Sequence, residues 1–114
     1  MLVALAECCL LGGVGVRGPA LKPEEDLRLD AAFFGESQSR FIISAASRSM
    51  PELQTLARKH RVEIQLLGLA AGAEIEFEGQ LRVNLGELRH AWEGGLGAPP
   101  PARLAGTSPS GKEA

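Results

Sequence analysis

The sequence predicts an α+β fold in which helices pack on one face of a small mixed sheet. Segments with the apolar spacing of helices alternate along the chain with short segments whose apolar residues alternate as in strands. The length of 114 residues corresponds to one small domain, and 45% hydrophobic with 23% charged residues is typical of a folded chain. We place the domain at residues 1–96. Residues 97–114, which hold four of the seven prolines, are predicted to be a disordered tail.

The first helix is predicted from residues 1–11, MLVALAECCLL, and the pair Gly12-Gly13 is expected to end it. The segment is too short to span a bilayer and lacks the positive charge that opens a signal peptide. Its apolar residues lie nearly all around the helix, which indicates burial on most sides. Because no capping residue precedes it, we expect the chain to be the end of a longer protein or the product of a gene start assigned too late.

A short strand is predicted at residues 14–17, followed by a loop and a short amphipathic turn that Gly35 closes. The run Phe41–Ala46, FIISAA, is continuously apolar and rich in β-branched residues, which predicts a central strand covered on both faces. Ser49 and Glu52 have the spacing of a capping box, so a helix is expected from Met50 to about Lys59.

The C-terminal half of the domain shows three further elements. Apolar and polar residues alternate over Val62–Leu66, which predicts a strand with one face exposed to solvent. Residues 74–83 alternate on both sides of Gly79, which predicts a β-hairpin. Asn84 is placed to cap a last helix. The predicted buried stripe of that helix consists of Leu85, Leu88, Ala91 and Trp92, and Trp92→Ala is expected to cost about 3–5 kcal/mol if the tryptophan is in the core.

Composition excludes several classes of function. The net charge of −2 supplies no surplus of cations for a nucleic-acid clamp, and aromatic residues, at 4%, are too few to favour a base-stacking platform. The two cysteines, Cys8 and Cys9, are adjacent, so neither a disulfide framework nor a cysteine-based zinc site is expected, and free buried thiols are typical of the reducing cytoplasm. His60 and His90 have no partner at metal-ligand spacing.

The polar segment before the apolar run is the candidate site. Gly35 permits a turn, and Glu36, Ser37, Ser39 and Arg40 follow it. An arginine and two hydroxyls are suited to bind a phosphate. In the simpler interpretation Glu36 and Arg40 form a local ion pair and the serines satisfy the backbone of the turn.

Three stretches resemble a known family: LVALAECCLLGGVGV, FFGESQSRFIIS, and VEIQLLGLA with LRVNLGELRHAWEGGL. They are similar to the C-terminal end of the phosphoribosylformylglycinamidine synthase family, the large synthetase subunit, in the aminoimidazole ribonucleotide synthetase-like superfamily. The resemblance covers residues 2 to about 96. Two other members of the superfamily, thiamine monophosphate kinase and selenophosphate synthetase, end differently and lack the GESxSR form.

The resemblance implies a ligase that uses ATP and magnesium and that receives ammonia from a glutaminase subunit. It also implies that Gly35, Glu36, Ser37, Ser39 and Arg40, which match the GESxSR segment, line the phosphate side of the nucleotide cleft. In the family an Asp-rich DxSDGG-type segment directly precedes the first helix, and here the sequence starts at Met1 without it.

Two hypotheses follow from these observations. In the first, the chain is a terminal segment of this synthetase, inactive by itself, and the exposed flank of the first helix docks on the missing part. In the second, it is a free-standing α+β module that binds a small anion or has a regulatory role. Neither hypothesis includes nucleic acid or a membrane.

Overall fold

The computed structural model describes residues 1–23 and 26–95. The described residues form four helices, and a 3₁₀ turn at Ser47–Ser49 precedes the third. The helices are α1 (Leu2–Gly12), α2 (Leu29–Phe34), α3 (Met50–Lys59) and α4 (Leu85–Gly94). The strands are β1 (Val16–Gly18), β2 (Leu69–Ala70), β3 (Glu74–Phe77) and β4 (Leu81–Asn84). The predicted tail at residues 97–114 lies outside the described residues.

The strands form one mixed sheet in the order β2-β1-β3-β4. β1 and β3 are parallel, with Val16 opposite Ile75, whereas the β1–β2 and β3–β4 pairs are antiparallel. Gly15 allows the chain to pass close to β3 just before it enters β1, because a Cβ at this position would overlap the backbone of Glu74. The predicted α+β class with a small mixed sheet is therefore confirmed.

The core lies between one face of the sheet and the helices α1, α2 and α4. Ile75 and Phe77 of β3 are completely buried, and the Phe77 ring lies 5.7 Å from that of Phe33 in α2. The remaining buried members of this cluster are Leu5, Cys9, Leu21 and Leu85. Glu74 and Glu76 alternate with the buried pair and face the opposite side of the sheet, as strand geometry requires.

The first and last helices both follow the sequence prediction in their position. α1 ends as expected, since Gly13 takes the left-handed conformation at φ 67° and its N–H donates to the Cys9 carbonyl. α4 begins at the predicted cap, where the Asn84 side chain accepts a hydrogen bond from the Gly86 N–H at 2.7 Å. One face of α1 stays exposed, and Leu11 is 89% exposed.

Between α2 and β2 the chain is much less buried. We call residues 36–66 the open segment. Ile42 is its one hydrophobic side chain that packs against the core. Phe41 is 88% exposed and Ile43 63% exposed, and α3 has no buried residue.

Two predicted strands are absent from the open segment. Neither Phe41–Ala46 nor Val62–Leu66 is a strand, and neither pairs with any strand of the described sheet. The prediction that Phe41–Ala46 is covered on both faces is wrong for this chain. The physical reason is that a strand needs a neighbour to complete its backbone hydrogen bonds, and the described residues place none beside these two runs.

Two side-chain predictions are also wrong. Ser49 precedes α3 as expected but makes no capping bond, because its helical backbone angles (φ −89°, ψ −6°) continue the preceding 3₁₀ turn. An N-cap side chain reaches the first-turn N–H groups from an extended backbone. Trp92 is 60% exposed and Ala91 is exposed too, so neither belongs to the buried stripe of α4, which consists of buried Leu85 and half-buried Leu88.

Candidate functional site

The candidate site is the turn that leaves α2. The Gly35 N–H donates to the Ala31 carbonyl oxygen at 2.8 Å and ends the helix. A Cβ at Gly35 would overlap that same carbonyl oxygen, so glycine is the residue that allows the chain to leave the helix here. The position of the site is thus set by the end of α2, whose Phe33 is fixed in the core.

The polar residues that follow are neighbours in sequence and lie in an exposed stretch around one turn. Gln38 and Ser39 form the turn, and Ser39 has a left-handed backbone with φ 62°. The side chains of Glu36, Ser37, Ser39 and Arg40 all lie in exposed positions. They are available to solvent and to a ligand, but the described chain does not enclose them.

The simpler interpretation of this segment required a local ion pair, and that pair is not formed. The ion pairs of the described residues are Arg17–Glu76, Arg28–Asp30, Arg82–Glu74 and Arg89–Glu93. Neither Glu36 nor Arg40 takes part in them. The side-chain hydrogen bonds within residues 1–23 and 26–95 also do not involve Ser37 or Ser39.

The polar groups of the turn suit a phosphate better than a divalent cation. Two hydroxyls and a guanidinium can donate to the oxygens of a phosphate. A divalent cation needs several oxygen ligands, and Glu36 is the one carboxylate of the turn. In the described part of the chain no group of three or more His, Cys, Asp or Glu is close enough to hold a metal ion.

The other acidic and basic residues have structural surroundings. Glu74 and Glu76 form the solvated face of β3, as predicted, and are paired with Arg82 at 2.8 Å and Arg17 at 3.1 Å. The hydrogen bond to Glu74, together with the charges of Glu74 and Glu76, raises the pKa of the Arg82 guanidinium. His60 caps the C-terminal end of α3, and His90 is exposed on α4.

The two cysteines differ in their environment. Both thiols are free, but Cys8 is exposed and only Cys9 is buried, so the prediction of burial is wrong for Cys8. Burial and, to a smaller extent, the neighbouring Cys8 raise the pKa of the Cys9 thiol. A raised pKa keeps Cys9 protonated and makes it a poor nucleophile.

Sequence analysis missed two polar side chains that hold the core in place. The Gln80 amide accepts from the Leu21 N–H at 2.7 Å and donates to the Leu21 carbonyl at 2.8 Å. Arg89 of α4 donates to the Leu10 carbonyl at the end of α1, at 2.7 Å. Both bonds join residues far apart in the sequence, and nothing in the local pattern around either residue predicts its partner.

Comparison with known proteins identifies relatives that match most of the chain. Three of them are phosphoribosylformylglycinamidine synthase subunits named PurL. The Anaeromyxobacter sp. subunit is 33% identical over 105 residues, 86% of this chain and 14% of its own length. The Thermomicrobium roseum subunit is 39% identical over 101 residues, 84% of this chain and 13% of its own length. The Thermobifida fusca subunit is 37% identical over 103 residues, covering 86% of this chain and 12% of its own length.

No family model and no solved structure matches the chain. The fold and the matches define it as an α+β segment related to one part of a much longer synthase subunit. That subunit is PurL, and the chain is similar to a C-terminal segment of it. The resemblance carried by the three sequence stretches is therefore confirmed. The chain spans 12–14% of the length of these three curated relatives.

None of the described helices is both long enough and apolar enough to cross a membrane.

Proposed function

We propose that this chain is the C-terminal segment of the synthetase subunit of phosphoribosylformylglycinamidine synthase and contributes to purine biosynthesis. The observation that carries the proposal is the 33% identity over 86% of this chain with only 14% of the length of its relative. A segment of this size acts together with the rest of the subunit. The cytoplasm is the proposed compartment.

The proposed reaction is that of an ATP- and magnesium-dependent ligase. ATP phosphorylates the formyl amide oxygen of formylglycinamide ribonucleotide, and ammonia from a glutaminase subunit displaces the phosphate. The products are the amidine, ADP and phosphate. Phosphoryl transfer depends mainly on positioning and charge stabilisation. The polar side chains of the candidate turn are all exposed, so the chain alone does not hold a substrate in position. We therefore propose that the chain has no ligase activity by itself.

Within the assembled enzyme, we assign the turn to the phosphate side of the nucleotide cleft. Gly35 lets the chain turn away from α2, and Arg40 binds phosphate oxygens through its guanidinium. Ser37 and Ser39 donate hydroxyl hydrogen bonds, and Glu36 lies beside them. The described residues alone do not suit magnesium, so no role toward the metal is assigned to them.

Complementation tests the proposal. The purified chain is mixed with Thermomicrobium roseum PurL shortened to lack its matching segment, and amidine formation is measured with ATP, magnesium and ammonia. Neither polypeptide alone is expected to turn over, whereas the mixture is. Ligase activity of the chain alone, or a mixture without activity in which the two polypeptides do associate, would contradict the proposal.

A substitution tests the assignment of the turn. Arg40→Gln is expected to lower turnover of the mixture by at least about tenfold, the cost of one charged hydrogen bond to phosphate, without weakening association. Arg28→Gln is the matched control, because Arg28 is an exposed arginine at the other end of α2. Equal activity of the two variants would remove Arg40 from the site. Saturable phosphate binding by the chain alone, with no activity on mixing, would favour the free-standing anion-binding module.

A further inference from the structure

The open segment carries apolar surface that this chain does not cover. Phe41, Ile43, Val62 and Leu66 are all more than 60% exposed. They belong to the two runs whose sequence pattern is typical of strands, one apolar throughout and one alternating. Exposed apolar residues in two such runs, at both ends of one helix, indicate a surface that another polypeptide covers.

The helix between these runs has the geometry of a connection between two strands. α3 ends in a Schellman motif: the Arg61 N–H donates to the Arg58 carbonyl and the Val62 N–H to the Ala57 carbonyl. Arg61 occupies the left-handed position, with φ 55°. This motif ends the helix immediately before residues 62–66. A strand, a helix and a second strand in this order form the usual connection between parallel strands.

The open segment leads into the described sheet at its edge strand, β2. Residues 62–66 lead through Leu67 and Gly68 into β2, which lies at the edge of the sheet. Within residues 1–23 and 26–95, β2 pairs only with β1, so its outer edge has no strand beside it. An edge of this kind can accept a further strand from another chain.

We propose that residues 41–66 form a strand–helix–strand unit whose two strands pair with a β-sheet of the remaining synthase polypeptide; this inference rests on the proposed function. We favour that polypeptide as the partner because this chain matches only 14% of the length of its relative. Most of the synthase subunit therefore lies outside the matched segment. The partner surface is therefore an apolar sheet with an unpaired edge. Residues 41–46 carry no charge and suit such a surface.

Amide hydrogen exchange tests the inference on the full chain, with and without the shortened Thermomicrobium roseum subunit. Alone, the amides of residues 41–46 and 62–66 are expected to exchange at nearly unprotected rates. In the mixture they are expected to slow by at least about 100-fold, as in a paired strand. Activity restored without this protection overturns the inference and leaves the proposed function standing. Protection without activity overturns the proposed function and leaves the docking surface standing.

A pair of substitutions separates this surface from the exposed flank of α1. Ile43→Glu and Leu11→Glu each place a charge on an exposed apolar residue, so both variants are expected to keep the thermal midpoint of the unmodified chain. Ile43→Glu is expected to weaken association at least about tenfold, because the charge would be buried in the interface. Leu11→Glu is expected to leave association unchanged, because we place the interface on the open segment and not on the flank of α1 that the first hypothesis assigned to docking. The opposite result, or protection of residues 41–46 in a dimer of this chain alone, overturns the inference.

Discussion

The packed part of the chain and the open segment differ in what their apolar side chains touch. In residues 69–95 and the N-terminal helices, alternating or helical patterns meet one another and enclose a core around Phe77. In residues 36–66, equally clear patterns leave Phe41, Ile43 and Val62 in solvent. The comparison teaches that a strand pattern forms a strand only where a pairing partner is present, whereas the helix α3 forms without one because its backbone hydrogen bonds lie within the helix. The partner of the packed part lies within this chain, and we propose that the partner of the open segment lies outside it.

The largest expected effect comes from comparing one phenylalanine of the packed part with one of the open segment. Phe77→Ala removes a completely buried ring and is expected to cost about 3–5 kcal/mol, which approaches the entire stability of a domain this small. Phe41→Ala, at a residue 88% exposed, is expected to change the free energy of unfolding by less than about 0.5 kcal/mol. Urea denaturation of the isolated chain measures both. If Phe77→Ala does not fold, Phe77→Leu provides a smaller loss in the same direction. Similar losses at Phe41 and Phe77 would show that the open segment is packed.

A second pair tests the corrected face of α4. Leu85→Ala is expected to cost about 2–4 kcal/mol because Leu85 lies in the core cluster. Trp92→Ala is expected to cost less than about 1 kcal/mol, because the indole is 60% exposed. The same urea denaturation decides between them. A loss above about 3 kcal/mol at Trp92 would restore the buried stripe that the sequence predicts.

The starts of α4 and α3 also differ, and the expected changes in the free energy of unfolding are smaller. Asn84→Ala removes an observed capping bond and is expected to destabilise the chain by about 1 kcal/mol. Ser49→Ala removes a side chain that makes no capping bond, so a change below about 0.5 kcal/mol is expected. Urea denaturation measures the first, and exchange of the α3 amides provides a local measure of the second. A loss of helix protection in Ser49→Ala would indicate a capping box after all.

The smallest effect concerns the buried thiol of the packed part. Burial raises the pKa of Cys9 above its ordinary value of 9.0, so the folded chain holds this proton more tightly than the unfolded chain. The resulting stability is present below the ordinary pKa and is lost as the pH rises through the raised value. In a Cys8→Ser variant, which keeps the burial of Cys9, the free energy of unfolding is expected to decline above about pH 9. A Cys8→Ser, Cys9→Ala chain provides the control. A thiol reagent that labels Cys9 as fast as Cys8 in the unmodified chain would contradict this account.

The sequence was a good guide where short-range chemistry defines an element. Gly13 and Asn84 mark helix ends through their own backbone and side-chain bonds, and the hairpin around Gly79 is defined by local alternation. Strand formation at residues 41–46 depends on a neighbour elsewhere, which no local pattern contains. The exposed face of Trp92 likewise depends on how α4 meets α1 and the sheet.

For the candidate site, sequence reasoning located the turn but not its surroundings. Gly35 is explained by the Ala31 carbonyl oxygen, which is a local contact. The described chain leaves Arg40 exposed and does not enclose it, so its role is inferred from the family resemblance and is a proposal. The long-range bonds of Gln80 and Arg89 were missed for the same physical reason.

The contact between the first and the last helix has a consequence for how the chain is made. Arg89 binds the end of α1 at Leu10, and β1 pairs with β3 across most of the intervening sequence. During synthesis, α1 therefore leaves the ribosome long before two of its partners in the core, β3 and α4, exist. Until residues 74–94 have emerged, the apolar side of α1 that packs against them stays exposed, which favours aggregation of the incomplete chain.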